Sequence, residues 1–347
     1  MNATRKAENV EISHYISDFL NRYLTNFKTQ SACTQRNYKV SISLYLDFLQ
    51  ERFDLNFSQL EYSCFDKYHI EKWREWMFER GNTVNTINRR ISCLNGFLKY
   101  LGHKDVALGK LYTEAMSIEH PRNTKNSRSA ALNEEEIKVF MSTQDISTPT
   151  GRRDHALFMT IYGTAARISE VLGLKVSDVR LKRKPYSVTL NGKGSKVRTV
   201  YISSSLASLL RRYLNEFHGF EPNSNSFLFF STSCGGSGER MLSQTAVDKR
   251  IKLSAAKAKE KLPGFPEKLH AHELRHSRAT NWLKEGLNLL QIQRLLGHES
   301  LDTTAKYLNF DDSFINENNE KLLSKNERKI QKKWRNADGS LRKDCGL

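Results

Sequence analysis

The first hundred residues alternate apolar and polar positions with the spacing of amphipathic helices. From Ile12 to Phe27 the apolar side chains recur in steps of three and four, which places them on one helix face. The same pattern predicts further helices at about 34–50, 66–80 and 84–101. Thr83 is placed as the N-cap of the last one. Residues 10–112 are therefore predicted to form a compact, all-helical bundle.

Two stretches lack this periodicity. Residues 113–131 include SIEHPRNTKNSRSA, which is rich in Pro, Asn, Ser and basic residues and predicts an exposed linker. Residues 311–347 form a polar, basic tail with only a weak helical stripe. Docking on a neighbouring subunit, contact with DNA and partial disorder all remain open for this tail.

Residues 132–310 predict a mainly helical domain with a small β insertion. Asn133 followed by Glu136 resembles a capping box that opens a helix. The strand-like runs are YSVTL at 186–190, VRTVYI at 197–202 and FLFF at 227–230. The first two flank NGKGSK, a turn with two glycines, and so predict a β-hairpin. The fold class expected for the chain is mainly α with a small β-hairpin insertion, in two domains.

The charge of the chain indicates its binding partner rather than its fold. The chain has 55 Lys and Arg against 38 Asp and Glu, a net charge of +17. Such an excess repels itself unless a polyanion binds, so nucleic acid is the leading partner. A basic protein whose charge only aids solubility is the alternative.

Basic residues on the polar faces of the predicted helices are candidates for contacts to DNA. They are Arg36, Lys39, Arg89, Arg90, Lys249 and Arg250. The same residues would also be typical of a solvated helix face, so both interpretations, DNA contact and solvent exposure, stay open.

Cysteine usage and apolar runs indicate the compartment. The five cysteines are scattered and never form C-x-x-C, which argues against a disulfide framework and a thiolate zinc cluster. The N-terminal residues lack the apolar core of a signal peptide, and no later run approaches a membrane span. A cytoplasmic, nucleoid-associated protein without a membrane partner is expected.

The stretch HELRH matches H-E-x-x-H, the signature of zinc peptidases. On a helix, His272 and His276 would share a face and could hold a metal, with Glu273 activating water. Arg275 would lie on that same face, where its positive charge opposes Zn²⁺ but suits a phosphate. No third-ligand pattern follows downstream, so no metal is expected, and a metallopeptidase is kept as an alternative.

Four segments taken together resemble one family. They are GTAARISEVLGL at 163–174, NGKGSKVRTV at 191–200, HELRHSRATNWLKEG at 272–286 and LLGHESLDTTAKYL at 295–308. In this order they resemble the catalytic domain of the tyrosine site-specific recombinases, the phage integrase family. The spacing agrees, with 26 residues from His272 to His298 and nine from His298 to Tyr307. The bundle over residues 10–112 resembles the core-binding domain of that family.

The resemblance implies a set of residues that bind the scissile phosphate. Arg167, Arg275 and His298 would hold this phosphate, and Glu170 would orient the site. The chemistry agrees, because the planar guanidinium donates two hydrogen bonds to one phosphate. Two arginines and a histidine can stabilise a pentacoordinate transition state by preorganised charge.

The resemblance also implies which residues make and break bonds. Tyr307 would be the nucleophile, His272 would transfer protons, and Lys193 would protonate the leaving 5′-oxygen. A tyrosine, whose ordinary pKa is about 10, needs nearby cations or a base to attack near neutral pH. The covalent phosphotyrosine then conserves the bond energy, so rejoining would need neither ATP nor a cofactor.

At the level of the whole protein, the resemblance implies a homotetramer that recombines two double-stranded DNA sites through a Holliday junction and a 3′-phosphotyrosyl intermediate. Integration, excision and resolution, for a mobile element or a replicon, all stay open. Besides the metallopeptidase, the alternatives are a type IB topoisomerase and a DNA-binding protein without catalysis.

Overall fold

The chain divides into two compact units, one over residues 1–127 and one over residues 128–347. The computed structural model describes residues 3–29, 31–121, 131–192, 196–231 and 238–307. None of the helices in these described ranges is both long and apolar enough to cross a membrane. The domain limits predicted at 112 and 132 stay predictions.

The first unit is helical, as its apolar period predicts. Its helices are α1 (Ala3–Asp18), α2 (Ala32–Phe53), α3 (Lys67–Glu79), α4 (Val84–Lys104) and α5 (Gly109–Met116). α1 continues as a π-helix over Phe19–Lys28, and 3₁₀ turns lie at Phe57–Gln59, Tyr62–Phe65 and Val106–Leu108. The side chains of Ser31, Asp66 and Thr83 cap α2, α3 and α4 by accepting backbone N–H groups of the first turn.

Aromatic rings fill the core of the first unit. Tyr45 packs edge to face against Trp73 with ring centroids 5.0 Å apart, and Phe19 packs against Phe97 at 5.3 Å. All four side chains are fully buried, and such pairs add to the free energy gained by burying their area. This unit is therefore held together mainly by apolar burial.

The second unit is also mainly helical. Its helices are α6 (Glu134–Met141), α7 (Pro149–Thr164), α8 (Ile168–Leu172), α9 (Ser204–Phe217), α10 (Gln244–Lys261), α11 (Ala271–Lys284), α12 (Leu289–Leu296) and α13 (Leu301–Tyr307). The predicted capping box opens α6, because the Asn133 side chain accepts the N–H of Glu136 and the Glu136 carboxylate accepts the N–H of Asn133.

The β insertion is an antiparallel sheet in which the described strands have the order β1 (Val179–Arg180), β2 (Ser187–Asn191) and β3 (Val197–Tyr201). A 3₁₀ turn over Val176–Asp178 leads into β1. β2 and β3 form the predicted hairpin, and Leu190 lies opposite Arg198. The tip of this hairpin, residues 193–195, lies outside the described residues.

The run FLFF does not form a regular strand. Phe227 and Phe230 make isolated bridges to Lys175 and Met241, while Leu228 and Phe229 between them are fully buried. The apolar character of this run therefore reflects burial in the core rather than a strand ladder. The fold class predicted from the sequence, mainly α with a small β insertion, is confirmed.

Candidate active site

Arg167 lies at the N-cap of α8, after a tight turn that leaves α7. The backbone at Ala165 is left-handed, with φ 48°, and α8 begins at Ile168. The Glu170 carboxylate accepts the backbone N–H of Arg167 at 2.7 Å and its guanidinium at 3.1 Å. The Arg167 side chain remains 42% exposed. Arg167 and Glu170, both candidate site residues from the sequence, therefore lie together at the start of α8.

Arg198 on β3 is the main partner of Glu170. Its two terminal nitrogens donate to the two carboxylate oxygens at 2.8 and 2.7 Å, and its Nε donates to the Leu295 carbonyl at 3.0 Å. Burial by itself would raise the pKa of Glu170, but hydrogen bonds from Arg198 and the Arg167 backbone outweigh it and lower this pKa. Arg198 thus joins the hairpin to α8 and to the end of α12.

Arg275 on α11 is fully buried and bonds to the ends of two other helices. Its guanidinium donates to the Ala165 carbonyl at 2.7 Å and to the Leu296 carbonyl at 2.8 Å. These carbonyls lie at the C-termini of α7 and α12, where unpaired acceptors and the helix dipoles favour a cation. Arg275 also contacts Nε2 of His298 at 2.8 Å.

His298 follows directly on the turn that ends α12. Gly297 has φ 65°, a left-handed backbone that favours glycine, and an added Cβ would lie 3.1 Å from the Arg198 side chain. The backbone N–H of His298 donates to the carbonyl of Gln293, and the side-chain amide of Gln293 donates to the carbonyl of His298. The residue is 9% exposed, and Nδ1 of its ring lies 3.0 Å from Oγ1 of Thr304 on α13.

Positive charge surrounds the two histidines of the predicted set. Burial, followed by the charges of Arg275, Arg167 and Arg198, lowers the pKa of His298 to about 4. The ring of His298 is therefore neutral at pH 7. His272 lies on the exposed side of the first turn of α11, yet desolvation by the surrounding protein, Arg275 and Arg167 lower its pKa as well.

The structure thus brings Arg167, Glu170, His272, Arg275 and His298 into one electrostatically coupled cluster. The side chains of the other two predicted residues, Lys193 and Tyr307, are outside the part of the chain that the structure describes. Lys193 is outside the described residues, and Tyr307 is described only as the last backbone position of α13. Their roles stay predictions.

Sequence reasoning missed Arg198 and Thr304. Arg198 had only a weak signal: it is a basic residue on a predicted strand that directly follows the turn containing Lys193. Thr304 had none, since a threonine on a helix is ordinary and its contact to His298 depends on the turn at Gly297.

The zinc hypothesis from HELRH gains no support. Among the described residues, no group of three or more His, Cys, Asp or Glu side chains could hold a metal ion. Arg275, one of the three residues between the two histidines, is turned into the protein and places a positive charge beside His272. This environment suits an anion rather than a divalent cation.

The six candidate DNA contacts divide by their partners. Arg36, Lys39, Arg89 and Lys249 are exposed. Arg90 instead donates to the Asn82 side chain at 2.9 Å, and burial lowers its pKa. Arg250 forms a 2.7 Å ion pair with the buried carboxylate of Asp154. Arg90 and Arg250 are therefore engaged within the protein, whereas the other four candidates are exposed on the surface.

Comparison with known proteins gives the same assignment in both units. Residues 130–313 match the phage integrase family, and residues 16–105 match the N-terminal SAM-like domain of phage integrases. The tyrosine recombinase XerC of Chlamydia caviae is 28% identical over 298 residues, 82% of this chain and 91% of the relative. XerC of Oceanobacillus iheyensis is 28% identical over 300 residues, 86% of this chain and 92% of the relative.

Solved structures share the fold. XerH recombinase bound to its difH substrate before cleavage is 23% identical with a TM-score of 0.62, covering 88% of this chain and 86% of that one. The Tn1549 transposon integrase in complex with transposon right end DNA is 15% identical with a TM-score of 0.67, covering 89% and 99%. A lambda integrase tetramer bound to a Holliday junction is 15% identical with a TM-score of 0.61, covering 86% and 76%. Because the catalytic-domain match spans more than half of the 347 residues, the chain belongs to the phage integrase family and is a tyrosine-type site-specific recombinase.

Proposed function

We propose that this recombinase cuts DNA with Tyr307, forms a covalent 3′-phosphotyrosyl intermediate and rejoins the strand to a new partner. The observation that carries the proposal is the coupled cluster of Arg167, Arg275 and His298. α13 is attached to this cluster through the contact of Thr304 to His298, and Tyr307 comes one turn later on the same helix.

The reaction balances without water or ATP. The Tyr307 oxygen gives up its proton and attacks phosphorus, the bond from phosphorus to the 5′-oxygen breaks, and that oxygen takes up a proton. Arg167 and Arg275 would neutralise charge that builds on the non-bridging oxygens. The family resemblance assigns proton transfer to His272 and protonation of the 5′-oxygen to Lys193. The reverse attack by a 5′-hydroxyl from another strand releases Tyr307.

The proposed assembly is a homotetramer on two double-stranded DNA sites, acting in the cytoplasm where the nucleoid lies. The lambda integrase neighbour is a tetramer on a Holliday junction, and the XerH and Tn1549 neighbours are bound to their DNA substrates. Resolution of a replicon and transfer of a mobile element both remain within the proposal. The exposed Arg36, Lys39, Arg89 and Lys249 would contact phosphates.

The experiment uses nicked duplex DNA from the region flanking the gene, in EDTA, and scores protein–DNA adducts that resist SDS. Wild type is compared with Tyr307→Phe and with Tyr201→Phe, a control at a tyrosine that is 67% exposed on β3. We expect the adduct in wild type and in the control but not in Tyr307→Phe. An adduct that persists in Tyr307→Phe would assign the nucleophile to another residue.

A further inference from the structure

His298 is hydrogen-bonded on both ring nitrogens in a way that determines its tautomer. Nη2 of Arg275 lies 2.8 Å from Nε2 of His298, and a guanidinium can only donate. Nε2 must therefore be the acceptor and carry no proton. A neutral ring then has its proton on Nδ1, which faces the Thr304 hydroxyl at 3.0 Å and donates to it.

The groups that face His298 disfavour a second proton on the ring. Arg275 and His272 approach from α11, Arg167 from the start of α8, and Arg198 from β3. Two carboxylates lie close to His298 in the cluster or in the chain: Glu170 is engaged with Arg198 and Arg167, and Glu299, the next residue, pairs with Lys196. The Thr304 side chain is fully buried, so water does not replace its hydroxyl beside Nδ1.

A phosphate in the cluster would reverse this balance. Its negative charge favours the imidazolium form, and a proton added at Nε2 would point to the side on which Arg275 lies. The imidazolium has N–H groups on both nitrogens, so Thr304 can keep accepting from Nδ1 in either charge state. The ring can keep its orientation only if Nη2 of Arg275, which donates to Nε2 in the free protein, turns that N–H away from Nε2 and toward the phosphate.

We propose that Thr304 is a positioning residue that holds the Nδ1–H of His298 before and after DNA binds, so that the ring takes up a proton from solvent at Nε2 when the scissile phosphate enters the cluster. This inference rests on the proposed function for the phosphate and the nucleophile. It also couples the two, because Thr304 lies three residues before Tyr307 on α13.

The test compares three variants of the full chain. Thr304→Val keeps the side-chain shape but removes the acceptor, and Thr304→Ser keeps a hydroxyl. Thr303→Val is the matched control, because Thr303 is the exposed neighbour on α13. Thermal unfolding of each variant confirms that it folds before the two measurements below.

The first measurement is NMR of the free protein with ¹⁵N-labelled histidine, with the His298 signals assigned from their loss in His298→Gln. We expect the pattern of an Nδ1–H tautomer in wild type, Thr304→Ser and Thr303→Val, and its loss or mixing in Thr304→Val. A wild-type ring with its proton on Nε2 would overturn the proposal.

The second measurement is the pH profile of adduct formation on nicked DNA. Without an acceptor for Nδ1–H the imidazolium is less stable, so the alkaline fall in rate should move to lower pH by about one unit in Thr304→Val. DNA affinity should change less than about twofold, since the phosphate contacts of the arginines remain. Thr304→Ser should restore the wild-type profile.

A Thr304→Val profile that matches wild type would overturn the positioning role. The absence of adduct in every variant, together with the expected NMR patterns, would instead contradict the proposed function while leaving the Thr304 contact intact. The two failures are therefore distinguishable.

Discussion

The two units bury different kinds of side chain. In the described part of the first unit the buried polar residues are neutral ones, Asn9, Ser41 and Asn95, set among aromatic rings. The second unit buries ionised groups: Arg153, Asp154, Glu170 and Arg275 are each less than one-tenth exposed. Removing charge from water is unfavourable unless each group is paired and hydrogen-bonded. The second unit buries these carboxylates in pairs with arginines, as Arg153 with Asp154 and Arg198 with Glu170 show.

Not all of this buried charge belongs to the candidate active site. Asp154 on α7 accepts from Arg153 at 3.0 Å and from Arg250 on α10 at 2.7 Å. That network joins two helices and has no member of the predicted catalytic set. The second unit therefore buries polar and charged groups in two separate places. One is an ion network that joins two helices, and the other is the candidate active-site cluster, whose positive charge suits an anion.

The largest effect is expected from breaking the buried pair of Glu170 and Arg198. Glu170→Gln leaves two arginines facing a neutral amide, so the free energy of unfolding should fall by about 3–5 kcal/mol. Adduct formation should slow roughly 100-fold, because Arg167 loses the carboxylate that orients it. Urea unfolding and single-turnover adduct assays measure the two effects.

Glu216→Gln is the matched control for this prediction. Glu216 pairs with Arg152 at 2.7 Å, but both side chains are more than one-third exposed. Its loss should lower the free energy of unfolding by less than about 1 kcal/mol. Equal losses in the two variants would show that burial does not make the pair of Glu170 more important for stability than the pair of Glu216.

A smaller effect is expected from acid. The pKa of His298 is about 4 in the folded chain and near 6.5 when unfolded, so the unfolded state binds more protons between these values. Its contribution to stability is complete above pH 6.5 and is lost as the pH falls toward 4. The loss should be about 3 kcal/mol.

The pH dependence of unfolding in wild type and His298→Gln isolates this contribution. His155, His218 and His272 also have lowered pKa values and shift stability in the same direction, so the difference between the two proteins is the quantity to measure. Parallel curves would contradict the assignment of the shift to His298.

The smallest effect on stability is expected in the first unit, where charge lies on the surface. Arg89→Gln should change the free energy of unfolding by less than about 0.5 kcal/mol. It should weaken DNA binding and reduce the slope of log affinity against log salt by about one, since one phosphate contact is lost. Arg89→Lys keeps the charge and should keep the slope. An unchanged slope in Arg89→Gln would make this residue part of a solvated face.

Local patterns predicted the helices and the hairpin because these depend on neighbours in sequence. The period of apolar positions placed α2, α3 and α4 within a few residues of their observed ends, and Thr83 and Asn133 were correctly predicted as the caps of α4 and α6. The π-helix that follows α1 was not predicted, since a shift in backbone hydrogen bonding leaves little trace in the apolar pattern.

The site was predicted only as far as side-chain types and their order could indicate it. The pairing of Arg275 with the Ala165 carbonyl spans 110 residues, and that of Arg198 with Glu170 spans 28. Such contacts depend on how α7, α11 and the hairpin pack together, and a pattern of neighbouring residues does not predict that packing. The resemblance supplied the names of the candidate residues, but the partners that hold them came from the fold.

The bond of Arg275 to the ends of two helices has a consequence for how genes of this kind decay. A copy that loses this arginine leaves the Ala165 and Leu296 carbonyls without their donor and should be degraded as a misfolded chain. A copy in which Tyr307 becomes phenylalanine loses only a hydroxyl group. Inactive descendants that survive in genomes should therefore have lost the tyrosine more often than the arginine, and they would persist as proteins that still occupy the ancestral DNA sites.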